Sequence, residues 1–379
     1  MMRNLDLVAS KCQSWLSNVV LPLWAREGLR ENGVFEEGLS SPTKPLSKGV
    51  IRFRVQPRQA YVYAHANQLG WFDGTEVVKS VVEKGFRYFQ SSSGYYAFST
   101  SDDLTINNDV QYAYEHAFAM LGFAWHYQVT QDETSLARAE SCYQFFNLRL
   151  RDPKFDGFFS SLSDKSLKCQ NPHMHLFEAL MALFETTHDE EWLERADEIY
   201  ELFCKRFFNG SNLVEFFDRE WQAKHPLSEN IDPGHQYEWV WLLSHYSKLR
   251  KVDVSDKIMS LMSFAAELGH SATGLVMDEI KQDGRKYRET SRLWCQTEYL
   301  KACVAMFESN PTSVNEKSVV QAVEAIFKYF IEPAQPGLWI DHVDVNGYPL
   351  SYAAPASTLY HIFLAFSEVC RLRDKYKLS

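Results

Sequence analysis

The sequence predicts an all-α toroid, an (α/α)6 barrel of six helical hairpins with short β-hairpin-like turns between them. Three observations predict it. A short phrase recurs about every sixty residues, two helical stretches lie between successive phrases, and within each pair one helix is apolar nearly all round while the other has a charged face. The phrase is Gly or Asn, two or three apolar or aromatic residues, then an acidic or small polar turn. It stands at Gly33-Val34-Phe35-Glu36, Gly94-Tyr95-Tyr96, Gly157-Phe158-Phe159, Asn212-Leu213-Val214-Glu215, Gly274-Leu275-Val276-Met277-Asp278 and Gly337-Leu338-Trp339-Ile340-Asp341. The intervals are 61, 63, 55, 62 and 63 residues, the size of a two-helix unit with its connections. Six units account for all 379 residues, so 1–379 is expected to form a single domain where length alone suggests two or three.

Each element has its own signal. Leu5 to Trp24 forms the N-terminal helix, and Arg58-Gln59-Ala60-Tyr61 opens the first inner one. Val110 to Gln128 carries apolar residues at three- and four-residue spacing, turns at Thr130-Gln131-Asp132, and is followed by Ser135 to Leu150, ended by Asp152-Pro153. The same pattern gives His173 to Thr187 with Glu190 to Phe208, turning at His188-Asp189. It gives His235 to Leu249 with Ser255 to Leu268, and Arg292 to Phe307 with Asn315 to Ile331. The last helix, Ser357 to Arg373, is completed by the N-terminal one, which closes the ring. In the second stretch of a pair, Glu191, Glu194, Arg195, Asp197 and Glu198 oppose Trp192, Ala196, Ile199 and Phe203, so that helix faces water on one side and its all-apolar partner is buried. A linear solenoid of the same units leaves two ends needing polar caps.

Composition narrows the function. A hydrophobic fraction of 45% with 23% charged residues excludes disorder. A net charge of −10 without a Lys/Arg cluster excludes nucleic acid and anionic membrane as partners, because phosphates require a basic stripe. The seven cysteines are scattered without a CxxC pair and read as reduced packing residues. Asp6 and Lys11 interrupt the apolar N-terminus before a signal-peptide core forms, and no stretch reaches the ~20 apolar residues of a membrane span. The expectation is a cytoplasmic protein, monomer or homodimer, acting on a neutral small molecule.

Inner helices of such a barrel point the same way, so residues near their N-termini ring one mouth of the central cavity. Arg58, His116, His175, His235, Glu298 and His361 share the repeat phase, with spacings of 58, 59, 60, 63 and 63 residues. Ionisable groups on helices that must be buried are costly unless paired or functional, so this ring is the candidate active site. Glu178 and Glu238 each follow a ring histidine by three residues, one helical turn, where a carboxylate can set the imidazole tautomer. His65, His126 and His245 read as hydrogen-bonded core residues. Of the aromatics Trp24, Tyr61, Tyr112, Trp239, Trp294 and Trp339, most are core, but a cavity lined by Trp and Tyr suits the apolar faces of a sugar, with Asn171, Gln59 and Gln296 as neutral partners for hydroxyls. The sequence has no HExxH and no four-carboxylate di-iron set, so the reading is without metal or other cofactor. A glycoside hydrolase needs two flanking carboxylates, whereas this ring is dominated by histidine.

At these residues the sequence resembles the N-acylglucosamine 2-epimerase superfamily along essentially the whole chain. The matching phrases are Arg58-Gln59-Ala60-Tyr61, Asn171-Pro172-His173-Met174-His175-Leu176-Phe177-Glu178, Asp232-Pro233-Gly234-His235-Gln236-Tyr237-Glu238-Trp239 and Trp294-Cys295-Gln296-Thr297-Glu298. Pro355-Ala356-Ser357-Thr358-Leu359-Tyr360-His361 is similar to the mannose isomerase branch. The resemblance implies the same barrel and metal-free isomerisation of D-mannose to D-fructose, with His235 and His361 matching the acid–base histidines and Arg58 and His175 matching residues beside the sugar.

Moving a carbonyl from C1 to C2 through a cis-enediol needs a base near neutrality, which histidine is. On this reading His361 shuttles the proton between C2 and C1. His235, oriented by Glu238, assists ring opening, and Arg58 stabilises the enediolate. Glu298, His175 and Asn171 hold hydroxyls, Trp294 and Trp339 pack the ring, and Tyr112, His116 and Gln59 complete the substrate pocket. The alternatives are a sugar 2-epimerase acting on mannose, cellobiose or an N-acylglucosamine, and an isomerase of a modified sugar such as sulfoquinovose. A sulfonate or phosphate would need a further cation, for which Arg52, Arg54 or Lys168 are available.

Overall fold

The computed structural model describes residues 2–46 and 49–377. Among them, twelve principal helices alternate in two layers. In chain order they are α1 (Met2–Trp15), α2 (Val55–Gln68), α3 (Thr75–Lys79), α4 (Ala113–Thr130), α5 (Glu133–Phe145), α6 (Gln170–Thr187), α7 (Glu190–Leu202), α8 (Pro233–Arg250), α9 (Ser255–Leu268), α10 (Leu293–Ser309), α11 (Ser313–Ile326) and α12 (Thr358–Lys377). The even-numbered helices form the inner ring. Each packs on its inner neighbours, and α12 returns to α2; α1 packs on α12 and so supplies the sixth outer helix. The (α/α)6 barrel of the sequence reading is therefore the observed fold.

The layers follow from side-chain distribution. Helix α4 is buried from Ala113 through most of its length to His126, whereas α7 buries only Trp192, Leu193, Ala196, Ile199 and Leu202 and turns its acidic face to water. Outer helices α1, α3, α5, α7 and α11 each run on into a wide π turn, as at Phe146–Leu150 and Phe203–Phe207, which swings the chain back toward the ring. At the far end, the inner-to-outer turns repeat one device: a residue at positive φ (Gln131, His188, Lys251) closes the inner helix. Asp132 and Asp189 then cap α5 and α7, accepting from Thr134 N–H at 3.0 Å and Glu191 N–H at 3.1 Å.

The recurring phrase is the turn that brings each outer helix back to the mouth. Gly33 at φ 87° is one example, and a Cβ there would lie 2.1 Å from the Ser80 carbonyl oxygen, so only glycine permits that approach. The hairpins expected from the sequence are mostly pairings between consecutive loops. Gly38–Ser41 pairs with Ala354–Pro355, Ile51–Arg52 with Ser99–Thr100, Leu167–Cys169 with Phe216–Asp218, Asn230–Ile231 with Glu279–Lys281, and Ser291–Arg292 with His342–Val343. A Tyr112–Ser161 bridge supplies the remaining link. These six short antiparallel contacts run round the mouth onto which the inner helices open.

Candidate active site

Position along the inner helices sets depth below that mouth, at about 1.5 Å per residue. Asn171, His235 and Trp294 lie in the first turns of α6, α8 and α10. Arg58 and His361 follow in α2 and α12, then His175, Glu238 and Glu298 one turn deeper, and Lys301 a further turn down α10. Asp232 caps α8 by accepting from Gly234 N–H at 3.0 Å, which fixes His235 at the helix start. Gly234 must be small, since a Cβ there would lie 2.8 Å from the Trp294 ring.

His235 is held by Glu215, not by the expected Glu238. Its Nδ1 lies 2.9 Å from Glu215 Oε2, which also accepts from Gln170 at 2.8 Å. The Asn171 amide meets its Nε2 at 3.2 Å. Glu238 sits one turn deeper, where its carboxyl clusters with the Glu298 carboxyl and the His361 ring, one ligand-type atom of each lying within 4.8 Å of the others. His361 donates through Nδ1 to Glu298 Oε1 at 2.8 Å, and Glu298 Oε2 is 2.6 Å from the Lys301 ammonium. The Lys301 ammonium is thus paired with one of the two carboxyls of this group. Trp294 stands between the two histidines, its ring centroid 5.1 Å from that of His235 and 5.7 Å from that of His361.

Arg58 is almost wholly buried against the Phe118 and Tyr360 rings and donates to the Tyr114 hydroxyl, while its Nε has no partner. His175 pairs with Glu178 Oε2 at 3.2 Å, and the Tyr360 hydroxyl donates to the other Glu178 oxygen. The inner-helix N-termini converge here, and their positive ends with Arg58 favour negative charge in the cavity.

The two histidines have opposite electrostatics. Burial would lower His235, but Glu215 and Asp232 outweigh it and take it up to about 10, which favours the imidazolium at neutral pH. Burial, reinforced by Arg58, Lys301 and His175, holds His361 well below its usual value, so it is a neutral imidazole. Burial and the neighbouring Glu298 push the Glu238 carboxyl well up. Burial also raises Glu298, and Lys301 opposes it; of these two carboxyls, the one touching the ammonium carries the charge. An acid and a base whose environments drive them apart are what proton-transfer chemistry requires.

The structure therefore gathers Arg58, Asn171, His175, His235, Glu238, Trp294, Glu298 and His361. Tyr112 stands at the rim, bridged to Ser161 and packed on Phe98. Four expected members lie elsewhere. His116 turns outward onto Phe145, accepts from Tyr96 N–H at 3.2 Å and donates to the Tyr112 carbonyl at 2.8 Å. Trp339 is fully buried and stacked on Trp24 at 4.9 Å. Gln59 donates to the Ala356 carbonyl at 2.7 Å, tying α2 to the start of α12. Gln296, read as a hydroxyl partner, instead grips Val276 through both N–H and C=O at 2.9 Å. Glu215 and Lys301 went unread, although Glu215 ends a phrase the sequence singles out. The barrel's opposite end holds a separate cavity of about 540 Å³, lined by Tyr61, Trp125, Trp241 and Glu368 among others, with Glu178 on its floor.

Two buried histidines, Arg58 and their paired acids at the inner mouth of a helical barrel form a site suited to proton transfer on a small molecule. The chain belongs to the N-acylglucosamine 2-epimerase family, whose model matches residues 33–365, and is a sugar isomerase or epimerase of that superfamily. It is 31% identical to a mannose-6-phosphate isomerase of Rhizobium meliloti over 97% of each chain. Its fold matches a cellobiose 2-epimerase from Spirochaeta thermophila with a TM-score of 0.85 at 20% identity, covering 98% of each chain. It matches a D-mannose isomerase structure at 0.84 and 20% identity, covering 97% of each. No helix among the described residues is long and apolar enough to cross a membrane.

Proposed function

We propose that the chain is an aldose–ketose isomerase of a free hexose, converting D-mannose to D-fructose. The observation that carries this reading is the opposite charge of the two histidines. An epimerase of the two-base kind takes the C2 proton on one face and delivers another from the opposite face, so each turnover exchanges the protonation states of its histidines. Here that exchange runs against the opposite electrostatic preferences of the two sites, since Glu215 and Asp232 favour the charged form of His235 while burial, Arg58 and Lys301 favour the neutral form of His361. An isomerase uses one carbon base, which finishes each turnover as it began.

In this mechanism the Nε2 lone pair of His361 takes the C2 hydrogen. The C–H pair becomes the C1–C2 double bond, and the carbonyl π pair moves to O1. Arg58 and the helix N-termini stabilise that oxyanion. His235 donates to O1 and recovers the hydrogen of O2, and His361 returns its proton to C1 as the C2 carbonyl forms. Glu238 and Asn171 contact hydroxyls, and Trp294 packs the sugar face.

A free sugar is favoured because four other cations that could take a phosphate are already paired with carboxylates, while Arg58, which has no carboxylate partner, is committed to the oxyanion. Arg52 binds Glu37, Arg54 binds Glu115 at 2.7 Å, Lys168 binds Asp152 at 3.1 Å and Arg292 binds Asp278 at 3.0 Å. A phosphate would have to displace one of these carboxylates. The test is incubation with D-mannose, and separately with D-mannose 6-phosphate, in D2O with EDTA, followed by NMR. Fructose labelled at C1 from free mannose is the expected result. Glucose labelled at C2 overturns the isomerase reading, turnover confined to the phosphate ester overturns the free sugar, and loss of activity with EDTA overturns the metal-free mechanism.

A further inference from the structure

Lys301 is a buried cation to which the proton-transfer scheme assigns no step. It lies at the bottom of the pocket, and its side chain is 1% exposed. Its ammonium sits 2.6 Å from Glu298 Oε2 and over the Trp241 ring at 4.5 Å, with Glu178 and Glu238 as the other nearby acids. A buried lysine costs several kcal/mol of desolvation unless its partner is well placed, so this one needs a reason. The partner is the carboxylate whose second oxygen holds His361.

We propose that Lys301 is a positioning residue for the carbon base: its ammonium keeps Glu298 as the carboxylate that accepts the Nδ1 hydrogen of His361, which leaves the lone pair on Nε2. A carboxylate can only accept, so the ring nitrogen facing it must carry the hydrogen, and in a neutral imidazole the other nitrogen is then the base. Without the ammonium, Glu298 would be a buried carboxyl beside the protonated Glu238, and it would bind a proton too. A protonated Glu298 donates to Nδ1, the hydrogen moves to Nε2, and the nitrogen that must take the C2 proton no longer has a lone pair. Groups from five of the inner helices bear on this ring: Arg58 from α2, His175 and Glu178 from α6, Glu238 from α8, Glu298, Lys301 and Trp294 from α10, and Tyr360 on α12 itself. Of these, only Glu298 forms a hydrogen bond to the ring.

The base role of His361 comes from the reading above, but the tautomer is a property of the protein without sugar, so the test separates the two. Protein labelled with 15N at histidine reports the tautomer of each ring, and His361→Asn identifies the His361 signals by their loss. The wild type is expected to show His361 with hydrogen on Nδ1 at pH 7. In Lys301→Met, or Lys301→Gln where the Met variant does not fold, the hydrogen is expected on Nε2, and Lys301→Arg is expected to restore Nδ1. Isomerase kcat/KM should fall by about a hundredfold in the Met or Gln variant, the lower end of what a positioned base contributes, with KM changed far less. An Nδ1 tautomer surviving in a folded Met or Gln variant overturns the proposal even if activity falls. A tautomer flip in a protein that never acts on mannose upholds it and overturns the substrate reading instead.

Discussion

Glu215 grips His235 at 2.9 Å across the step from the fourth turn to the start of α8. The same relation recurs round the ring. The acid that closes a turn phrase holds a residue at the start of the next inner helix, as Asp278 holds Arg292 at 3.0 Å and Asp341 accepts from Thr358 at 2.6 Å, and Glu37, just after the first phrase, holds Arg52 ahead of α2. In the fourth unit the held residue is a histidine, so a device that fastens loops to helices there also creates an imidazolium.

Glu215→Gln is therefore expected to change the pH profile as well as the rate. With the leading favourable charge gone, burial dominates and His235 loses its proton at lower pH. The alkaline limb of kcat/KM, expected near 10 in the wild type, should move toward neutrality. At pH 8 the rate should drop by ~10²-fold as the acid is lost. Glu238→Gln should leave that limb nearly in place, because Glu238 is protonated before the exchange. A profile that follows Glu238 rather than Glu215 would return the orienting role to the acid expected from the sequence.

Arg58→Met removes a cation packed beside both Tyr114 and Tyr360. Loss of a preorganised charge at a developing oxyanion costs about 3–4 kcal/mol, a few hundredfold in kcat/KM, most of it expected in kcat. His361→Asn should abolish exchange of the C2 hydrogen with solvent. Deuterium incorporation followed by NMR reads both variants, and carbon exchange persisting in His361→Asn would remove His361 from its role.

The barrel was legible because its period is carried by residues the fold cannot do without: the turn phrase and the helix-opening polar groups. Most of the site was legible for the same reason, since Arg58, His175, Glu298 and His361 combine charge with an all-apolar helix. What failed was phase. His116 has the right spacing from Arg58, but its counterparts are Gln56, His173, Gln236 and Gln296, which take the backbone N–H of Phe35, Phe158, Leu213 and Val276. An offset of two residues moves a side chain by about 200° around a helix, from the cavity to the outer layer, and a spacing near sixty does not resolve that. Trp339 was illegible in another way. A tryptophan looks the same in sequence whether it packs on a sugar or on Trp24.

Lys168 was a candidate cation for a phosphate, and its placement makes a separate prediction. It pairs with Asp152 at 3.1 Å with both side chains fully buried, and donates to the Asp156 carbonyl at 2.9 Å. Arg219, at 3.0 Å, completes the neutralisation of Asp152. Removing one partner of a buried pair costs about 3–5 kcal/mol. Lys168→Met should lower the midpoint of chemical denaturation accordingly, while the ratio of activities on free and phosphorylated mannose stays unchanged. A changed ratio with stability intact would mark Lys168 as part of the substrate site.

His116 and His173 give the barrel an acid sensitivity that its glutamine-braced units lack. Each must be neutral to do its work, with Nε2 accepting from the turn and Nδ1 donating to the carbonyl four residues back. Burial accordingly lowers both to about 4, against about 6.5 in an unfolded chain. As pH falls through 6.5 the unfolded state takes up protons that the native state refuses, so stability declines down to about pH 4. The loss is roughly 3 kcal/mol for each histidine. Glutamine holds the same turn in three other units, so His116→Gln with His173→Gln should keep the fold and flatten stability across that window. Urea denaturation between pH 7 and pH 4 measures it, and an unchanged slope in the double variant would mean that other groups, not these braces, drive acid unfolding.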